Sequence, residues 1–114
     1  MAKGQPPLTV ILSPQAEDDL LKAWGDNLEK YSLEHAESYE GFLKAGINSL
    51  ATEYDQGRQF EAFPEFKFIT LRRHRKGDGH VVIYRIDVPM QIVKVLRIFH
   101  TRMDVQGRLA RELE

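Results

Sequence analysis

Residues 91–104 read QIVKVLRIFHTRMD and join an apolar run to a polar cluster at its end. The apolar residues are aliphatic or aromatic and several are β-branched: Val93, Val95, Leu96, Ile98 and Phe99. Such a composition is typical of a strand covered on both faces, and we predict the central strand of a sheet here. The polar side chains set into this segment and at its exit are Lys94, Arg97, His100, Arg102 and Asp104. Core and candidate site are therefore expected to meet at the end of one strand.

The length of 114 residues fits one domain, which we place at residues 8–114 behind a flexible, Gly/Pro-punctuated arm at residues 1–7. Without cysteine, the chain cannot form a disulfide or a thiolate zinc site. The histidines lack metal-ligand spacing, so we expect no metal and no cofactor. There is no apolar run of about 18 residues, which excludes a membrane span and predicts a cytoplasmic protein.

The net charge of −1 conceals two oppositely charged halves. Residues 1–66 contain five Lys/Arg and twelve Asp/Glu, whereas residues 67–114 contain eleven and five. One interpretation is that acidic and basic faces are simply solvated. The other is that the basic half binds an acidic partner or a nucleic acid, because a positive field attracts anionic ligands.

Two helices are predicted after a short first strand at residues 8–12. Ser13-Pro14 is a typical helix start, and apolar residues at spacings of three and four continue to about residue 30. Ser32 is the next candidate N-cap, for a second amphipathic helix at about residues 33–53. The connection between them is short, so the two helices should form an antiparallel hairpin. Gly41 and Gly46 within the second helix are expected to allow close approach of a neighbouring element.

The second half of the chain predicts strands. Residues 67–73 and 80–87 flank a Gly-rich turn, a second turn at residues 88–90 leads into the opening segment, and Asp104 is a candidate cap for a short C-terminal helix. The resulting α+β fold has the order β-α-α-β-β-β, with the helical hairpin packed on a twisted, mostly antiparallel four-stranded sheet. We expect the first strand to lie beside the last. Tyr84 should be a core residue with a hydrogen-bonded hydroxyl, and His100 should pair with a group such as Asp104.

This order of elements and residues resembles the ParE branch of the ParE/RelE superfamily of toxins from bacterial toxin–antitoxin pairs. The matching positions are Ala16, Asp19-Leu20, Trp24, Ala36, Leu50-Ala51, Gly57-Arg58, Leu71-Arg72, His80, Tyr84-Arg85, Ile98-Phe99-His100 and Arg102-Met103-Asp104. The resemblance implies a toxin that poisons DNA gyrase, blocks replication and is neutralised by a small antitoxin whose C-terminal segment wraps around it. RelE-like relatives instead cleave messenger RNA in the ribosomal A site.

Many RelE-like nucleases carry catalytic Lys and Arg on the strands around the hairpin turn. When this chain is aligned with that pattern, the positions that hold Lys or Arg in those nucleases are occupied by Phe68, Thr70 and Val81. None of these side chains can stabilise charge on a phosphate. The resemblance therefore favours gyrase binding, with no catalytic residue. For the alternative, a ribosome-dependent mRNA interferase, the candidates are Arg73, Arg97 and His100.

Candidate binding residues follow from the surplus of aromatic and cationic side chains. Antitoxin binding is predicted at Trp24, Phe60, Phe63, Arg72 and Arg97, along an uncovered sheet face and edge and beside the helical hairpin. Target binding is predicted at Arg72, Arg73, Arg75, Lys76 and Arg102. The alternative for the cations at the predicted hairpin turn is that they are simply solvated. The alternative for Trp24 and His100 is a structural role.

Overall fold

A helical hairpin lies on one face of a mixed sheet in the computed structural model, which describes residues 6–114. Along the chain the elements are β1 (Thr9–Leu12), α1 (Pro14–Lys30), α2 (Leu33–Asn48), β2 (Arg58–Gln59), β3 (Lys67–Leu71), β4 (His80–Asp87), β5 (Ile92–His100) and α3 (Val105–Glu112). The α+β prediction is confirmed. The predicted arm at residues 1–7 lies outside the described residues except for Pro6 and Pro7. No helix within the described range is long and apolar enough to cross a membrane.

The sheet has the strand order β1-β5-β4-β3-β2. As predicted, β1 lies beside β5, and β3, β4 and β5 form an antiparallel meander. The structure shows that β1 and β5 run in parallel. The sheet has five strands rather than four because Arg58 and Gln59 pair with β3 and add a short edge strand. The middle position therefore belongs to β4, and the prediction that residues 91–104 hold the central strand is wrong by one place.

Serine and aspartate side chains start the three helices. Ser13 Oγ accepts the Ala16 N–H at 3.0 Å and donates to the Leu96 carbonyl at 2.7 Å, so the first cap also ties α1 to β5. Ser32 caps α2 and Asp104 caps α3, both as predicted. α2 ends at Asn48 and a 3₁₀ turn (Ser49–Ala51) follows, so the helix is shorter than predicted.

Apolar side chains cover both faces of the sheet. The larger core joins the helical hairpin to one face and includes Leu20, Leu43, Ile47, Val82 and Tyr84. Tyr84 is fully buried, and its hydroxyl donates to the Tyr54 carbonyl and accepts the Gly57 N–H, as expected for a core tyrosine. The smaller core on the other face includes Phe60, Phe66, Ile83, Phe99 and Leu109. The expectation that this second face is free for a partner is wrong for the part that α3 and the aromatic residues Phe60, Phe63 and Phe66 cover.

One of the two glycines within α2 allows close packing. A Cβ atom at Gly46 would lie 2.7 Å from the methyl groups of Leu71, so a larger residue here would require the Leu71 side chain to move. A Cβ atom at Gly41 would meet nothing within 4 Å. The expectation of close approach is confirmed for Gly46 and wrong for Gly41.

Arg97 connects three elements through charged hydrogen bonds. Its Nε and Nη2 donate to the Asp19 carboxylate of α1 at 2.8 and 2.9 Å, and its Nη1 donates to Glu112 of α3 at 2.7 Å. Asp19 also accepts the Ile98 backbone N–H at 2.9 Å. The hydrogen bonds to Asp19 raise the pKa of Arg97 above its usual value, and the pair is largely shielded from water. We call Asp19, Arg97 and Glu112 the Arg97 cluster.

A buried polar pair joins α2 to β4. The Tyr39 hydroxyl and His80 Nδ1 lie 2.8 Å apart, and the His80 side chain is 8% exposed. Burial, followed by the charge of His100, lowers the pKa of His80 from 6.5 to about 4. Burial also raises the pKa of Tyr39, so both partners are neutral at physiological pH.

Replacing Asp19 by Ala should lower the free energy of unfolding by about 2–4 kcal/mol, because the shielded Arg97 guanidinium keeps only its bond to Glu112 and the Ile98 N–H loses its acceptor. Denaturant unfolding of the purified protein measures this change. The matched control is Asp18→Ala, since Asp18 is the exposed neighbour on the same helix turn and should cost less than about 1 kcal/mol. Equal losses in the two variants would show that the Arg97 cluster contributes no special stability.

Stability should fall as the pH drops from about 6.5 towards 4, because the unfolded chain binds a proton at His80 in this window and the folded chain does not. The contribution of this single site is about 2–3 kcal/mol. Unfolding curves collected between pH 7.5 and pH 4 (about one pH unit apart) would measure it. His80→Gln should flatten the slope, whereas His74→Gln, at an exposed position, should keep it; parallel curves for all three proteins would contradict the assignment.

Candidate functional site

A cleft of about 590 Å³ opens where β4 begins and β5 ends. Side chains from both helices of the hairpin, the β3–β4 connection and the exit of β5 line it. All four histidines of the chain take part, namely His35, His74, His80 and His100. We call this surface the histidine cleft.

Two of these histidines form a cross-strand pair at the base of the cleft. His80 and His100 are register partners in β4 and β5, and their rings meet edge to face at 5.2 Å. His100 Nδ1 accepts the Arg102 backbone N–H at 3.1 Å, so the proton of the neutral ring lies on Nε2. The expected pairing of His100 with Asp104 is wrong, because Asp104 accepts the Gly107 N–H as the cap of α3.

The charged residues of the histidine cleft are unevenly paired. Its three carboxylates all have a cationic partner: Asp19 with Arg97, Asp26 with Lys22, and Asp78 with Arg102. Two further lining cations, Lys30 and Arg73, form no salt bridge within the described chain. Arg73 instead hydrogen-bonds to Ser38 and lies 5.8 Å from the ring centres of Tyr39 and Phe42. The cleft therefore presents an excess of positive charge.

A second concave surface runs along the outer edge of β3. This groove of about 520 Å³ is lined by Gln56, Arg58, Phe68, Ile69, Thr70 and Arg72, and we call it the edge groove. β2 covers only Lys67 and Phe68, so the rest of β3 has no strand on its outer side in the part of the chain described. Arg58 and Arg72 are exposed, and neither forms an ion pair with residues 6–114. A free edge flanked by two guanidinium groups suits an extended peptide with acidic side chains.

An apolar strip lies on the outer side of α1. Leu21, Trp24 and Leu28 are spaced by three and four residues and therefore share one side of the helix. Leu21 is 64% exposed and Leu28 is 38% exposed, while Trp24 is partly buried. The strip is thus accessible to an amphipathic partner.

The predicted site residues are distributed among these surfaces and the core. Arg72 lies in the edge groove, Arg73 and Arg102 line the histidine cleft, and Arg75 and Lys76 are exposed on the β3–β4 connection. Phe60 is buried and Phe63 is partly buried in the smaller core, where Phe60 packs on Phe68 with 4.6 Å between ring centres. Arg97 is held in the Arg97 cluster.

The three residues named for the mRNA interferase alternative are not all together. Arg73 and His100 line the histidine cleft, whereas Arg97 is directed to carboxylates and packs over the Phe99 ring. No group of three or more His, Asp or Glu residues within positions 6–114 is arranged to hold a metal ion.

Sequence reasoning missed Tyr39 and His80 as site residues. The hairpin register pairs His80 with His100 only after a bulge between Ile83 and Tyr84, so the turn that joins β4 to β5 does not by itself specify this pair. The contact between Tyr39 and His80 spans 41 positions and has no sequence signal. Arg58 was also missed, because the two-residue strand that carries it has no pattern of its own.

A comparison with protein families matches residues 10–105 to the model of the ParE toxin of type II toxin–antitoxin systems. Among individual proteins, Toxin ParE1 of Caulobacter vibrioides is 29% identical over 98 residues, which cover 86% of this chain and 94% of that protein.

Solved structures show the same fold at lower identity. The chromosomal ParDE system of P. aeruginosa aligns with a TM-score of 0.67 at 17% identity, covering 81% of this chain and 94% of that one. The RelBE2 toxin–antitoxin complex of Mycobacterium tuberculosis aligns at 0.55 and 22% identity, covering 82% and 98%. A mutant E. coli RelE toxin in the free state aligns at 0.60 and 14% identity, covering 95% and 99%. With the family match spanning most of its length and this shared fold, the chain belongs to the ParE toxins of type II toxin–antitoxin systems.

Proposed function

We propose that this toxin inhibits DNA gyrase and that a cognate antitoxin neutralises it by direct binding. The family match over residues 10–105 carries the proposal, since the model that it matches is that of the ParE toxin. The state of Arg97 supports a binding role: its three nitrogens donate to Asp19 and Glu112, so it is not free to stabilise charge on a phosphate.

The positions of the expected nuclease cations agree with this reading. Phe68 packs against Phe60, and Val81 is 8% exposed within the smaller core. Thr70 is exposed in the edge groove and carries no charge. None of these three side chains can act as a general base or stabilise charge on a scissile phosphate.

The edge groove is the surface that best fits an acidic extended segment of the antitoxin. An added strand would continue the ladder where β2 ends, and Arg58 and Arg72 would receive carboxylates at its two ends. The apolar strip of Leu21, Trp24 and Leu28 is suited to an amphipathic helix of the same partner. Of the five antitoxin-binding candidates, Trp24 and Arg72 remain in this proposal, Phe63 is accessible in part, and Phe60 and Arg97 act within the fold.

An mRNA interferase is the second candidate function, and one observation favours it. Arg73 and His100 share the histidine cleft, with Arg102 beside them. A histidine and an arginine in one cleft are groups that general acid–base chemistry on a phosphodiester can use. In that case the ribosome and messenger RNA, rather than gyrase, are the target.

Reversing the charge at the edge groove should weaken antitoxin binding. Arg72→Glu places a carboxylate where an acidic segment is expected, and we predict at least a tenfold rise in the dissociation constant measured by calorimetry with the antitoxin encoded beside the toxin. Arg111→Glu makes the same charge change on exposed α3 and should leave the constant within about twofold. If both variants bind as tightly as the parent, the antitoxin does not use the edge groove.

The target can be identified by adding the purified toxin to gyrase and, in a separate reaction, to translating ribosomes. Gyrase inhibition predicts loss of supercoiled product or accumulation of cleaved DNA, with translated messenger RNA left intact. The mRNA interferase predicts the reverse, with cutting abolished in His100→Ala. A gyrase reaction that proceeds at its normal rate at saturating toxin would refute the proposed function, and induction in cells, scored for DNA damage against translation arrest, provides the independent check.

A further inference from the structure

We propose that the histidine cleft binds the phosphate and base of a nucleotide, either free or within a single strand. This binding site goes beyond gyrase inhibition, because it requires neither gyrase nor an antitoxin. It shares Arg73 and His100 with the mRNA interferase alternative but requires no cleavage of RNA and no ribosome. The proposal is carried by three features of the cleft: its unpaired cations, its hydrogen-bond donors and an exposed aromatic pair at its rim.

The unpaired cations select an anionic ligand. Every carboxylate that lines the cleft already has a cationic partner at 2.8–3.2 Å. Lys30 and Arg73 remain without one in the described part of the chain, and Arg73 has its guanidinium placed by the Tyr39 and Phe42 rings and by Ser38. An arginine fixed in this manner binds a phosphate with little loss of side-chain entropy.

His100 adds a neutral hydrogen-bond donor, and His80 adds a neutral ring at the base of the cleft. His100 accepts the Arg102 N–H through Nδ1, which leaves the Nε2–H as a donor. His80 is held neutral by burial, with its Nδ1 at 2.8 Å from the Tyr39 hydroxyl. Donors without an unpaired carboxylate beside them match the acceptor oxygens of a phosphate group.

An aromatic pair extends the cleft to accommodate a base. The rings of Tyr31 and His35 lie 4.4 Å apart, both residues line the cleft, and Tyr31 is 66% exposed. Exposed aromatic rings next to cations are the surfaces on which bases of single strands stack. A duplex keeps its bases stacked on each other, so the combination favours an unpaired nucleotide.

Fluorescence anisotropy of the free toxin tests this binding, with labelled single strands of about ten nucleotides, as DNA and as RNA, and with duplex DNA as competitor. The single strands are expected to bind saturably, and the duplex is expected to compete weakly with them. ATP as a second competitor distinguishes the source of the phosphate: displacement by ATP indicates a site for free nucleotides, and no displacement indicates a site for strands. A denaturing gel after each titration establishes that the RNA probe is intact.

Two variants locate the binding in the cleft. Arg73→Gln should weaken binding about tenfold and reduce the slope of log K against log salt by about 0.7, the value for one lost phosphate contact with a single strand. Tyr31→Ala should weaken binding about tenfold with the slope unchanged, because it removes stacking and no charge. The charge-matched control is Arg85→Gln, at an exposed position of β4 outside the cleft, which should change affinity less than twofold.

The proposal is overturned if no saturable binding occurs, or if Arg85→Gln and Arg73→Gln weaken it equally, since that would indicate general attraction to the basic half of the chain. Failure of the gyrase assay leaves these results untouched, because the titrations contain only the toxin and the probe. The two proposals can therefore fail separately.

Discussion

The paired charges of Asp19 and Arg97 are the interaction on which the arrangement of this molecule depends. Asp19 accepts two guanidinium hydrogen bonds and the Ile98 N–H, and Arg97 reaches on to Glu112. One carboxylate thereby fixes α1 against β5, and one guanidinium fixes α3 on the opposite side of the same strand. Because the pair is largely shielded from water, its geometry is specific and its partners are costly to remove separately.

The same interaction defines the surfaces that remain for function. Because Arg97 pairs with Asp19 from outside the histidine cleft, the excess of cations over unpaired carboxylates in the cleft is larger. With α3 held in place, Leu109 completes the smaller core and the second face of the sheet is partly closed. The accessible surfaces are then the edge groove, the apolar strip on α1 and the cleft. Antitoxin binding and nucleotide binding are proposed for different members of this set, so the two can occur on one molecule.

Much of the architecture could be predicted because its signals are local. Ser13-Pro14, Ser32 and Asp104 specify helix starts through hydrogen bonds within three residues, and each acts as predicted. Alternation placed Tyr84 in the core, and turn residues set the antiparallel meander. Contacts between residues distant in sequence were harder to predict. The strand Arg58–Gln59 is too short to show a periodic pattern. Asp104 was predicted as the partner of His100, although its carboxylate is the cap of α3.

The sequence by itself determined the order of the helices and of every strand except β2, and the resemblance to ParE toxins, because these depend on periodicity, caps and ordered residue matches. Residues 91–104 were correctly read as a buried strand with a polar exit. Tertiary structure alone decided what that exit does. It turned Arg97 inward to Asp19 and Glu112, across 78 and 15 positions of chain, and gathered four scattered histidines in one cleft. Side chains distant in sequence are brought together by helix packing and strand register, and no local pattern encodes which of them meet.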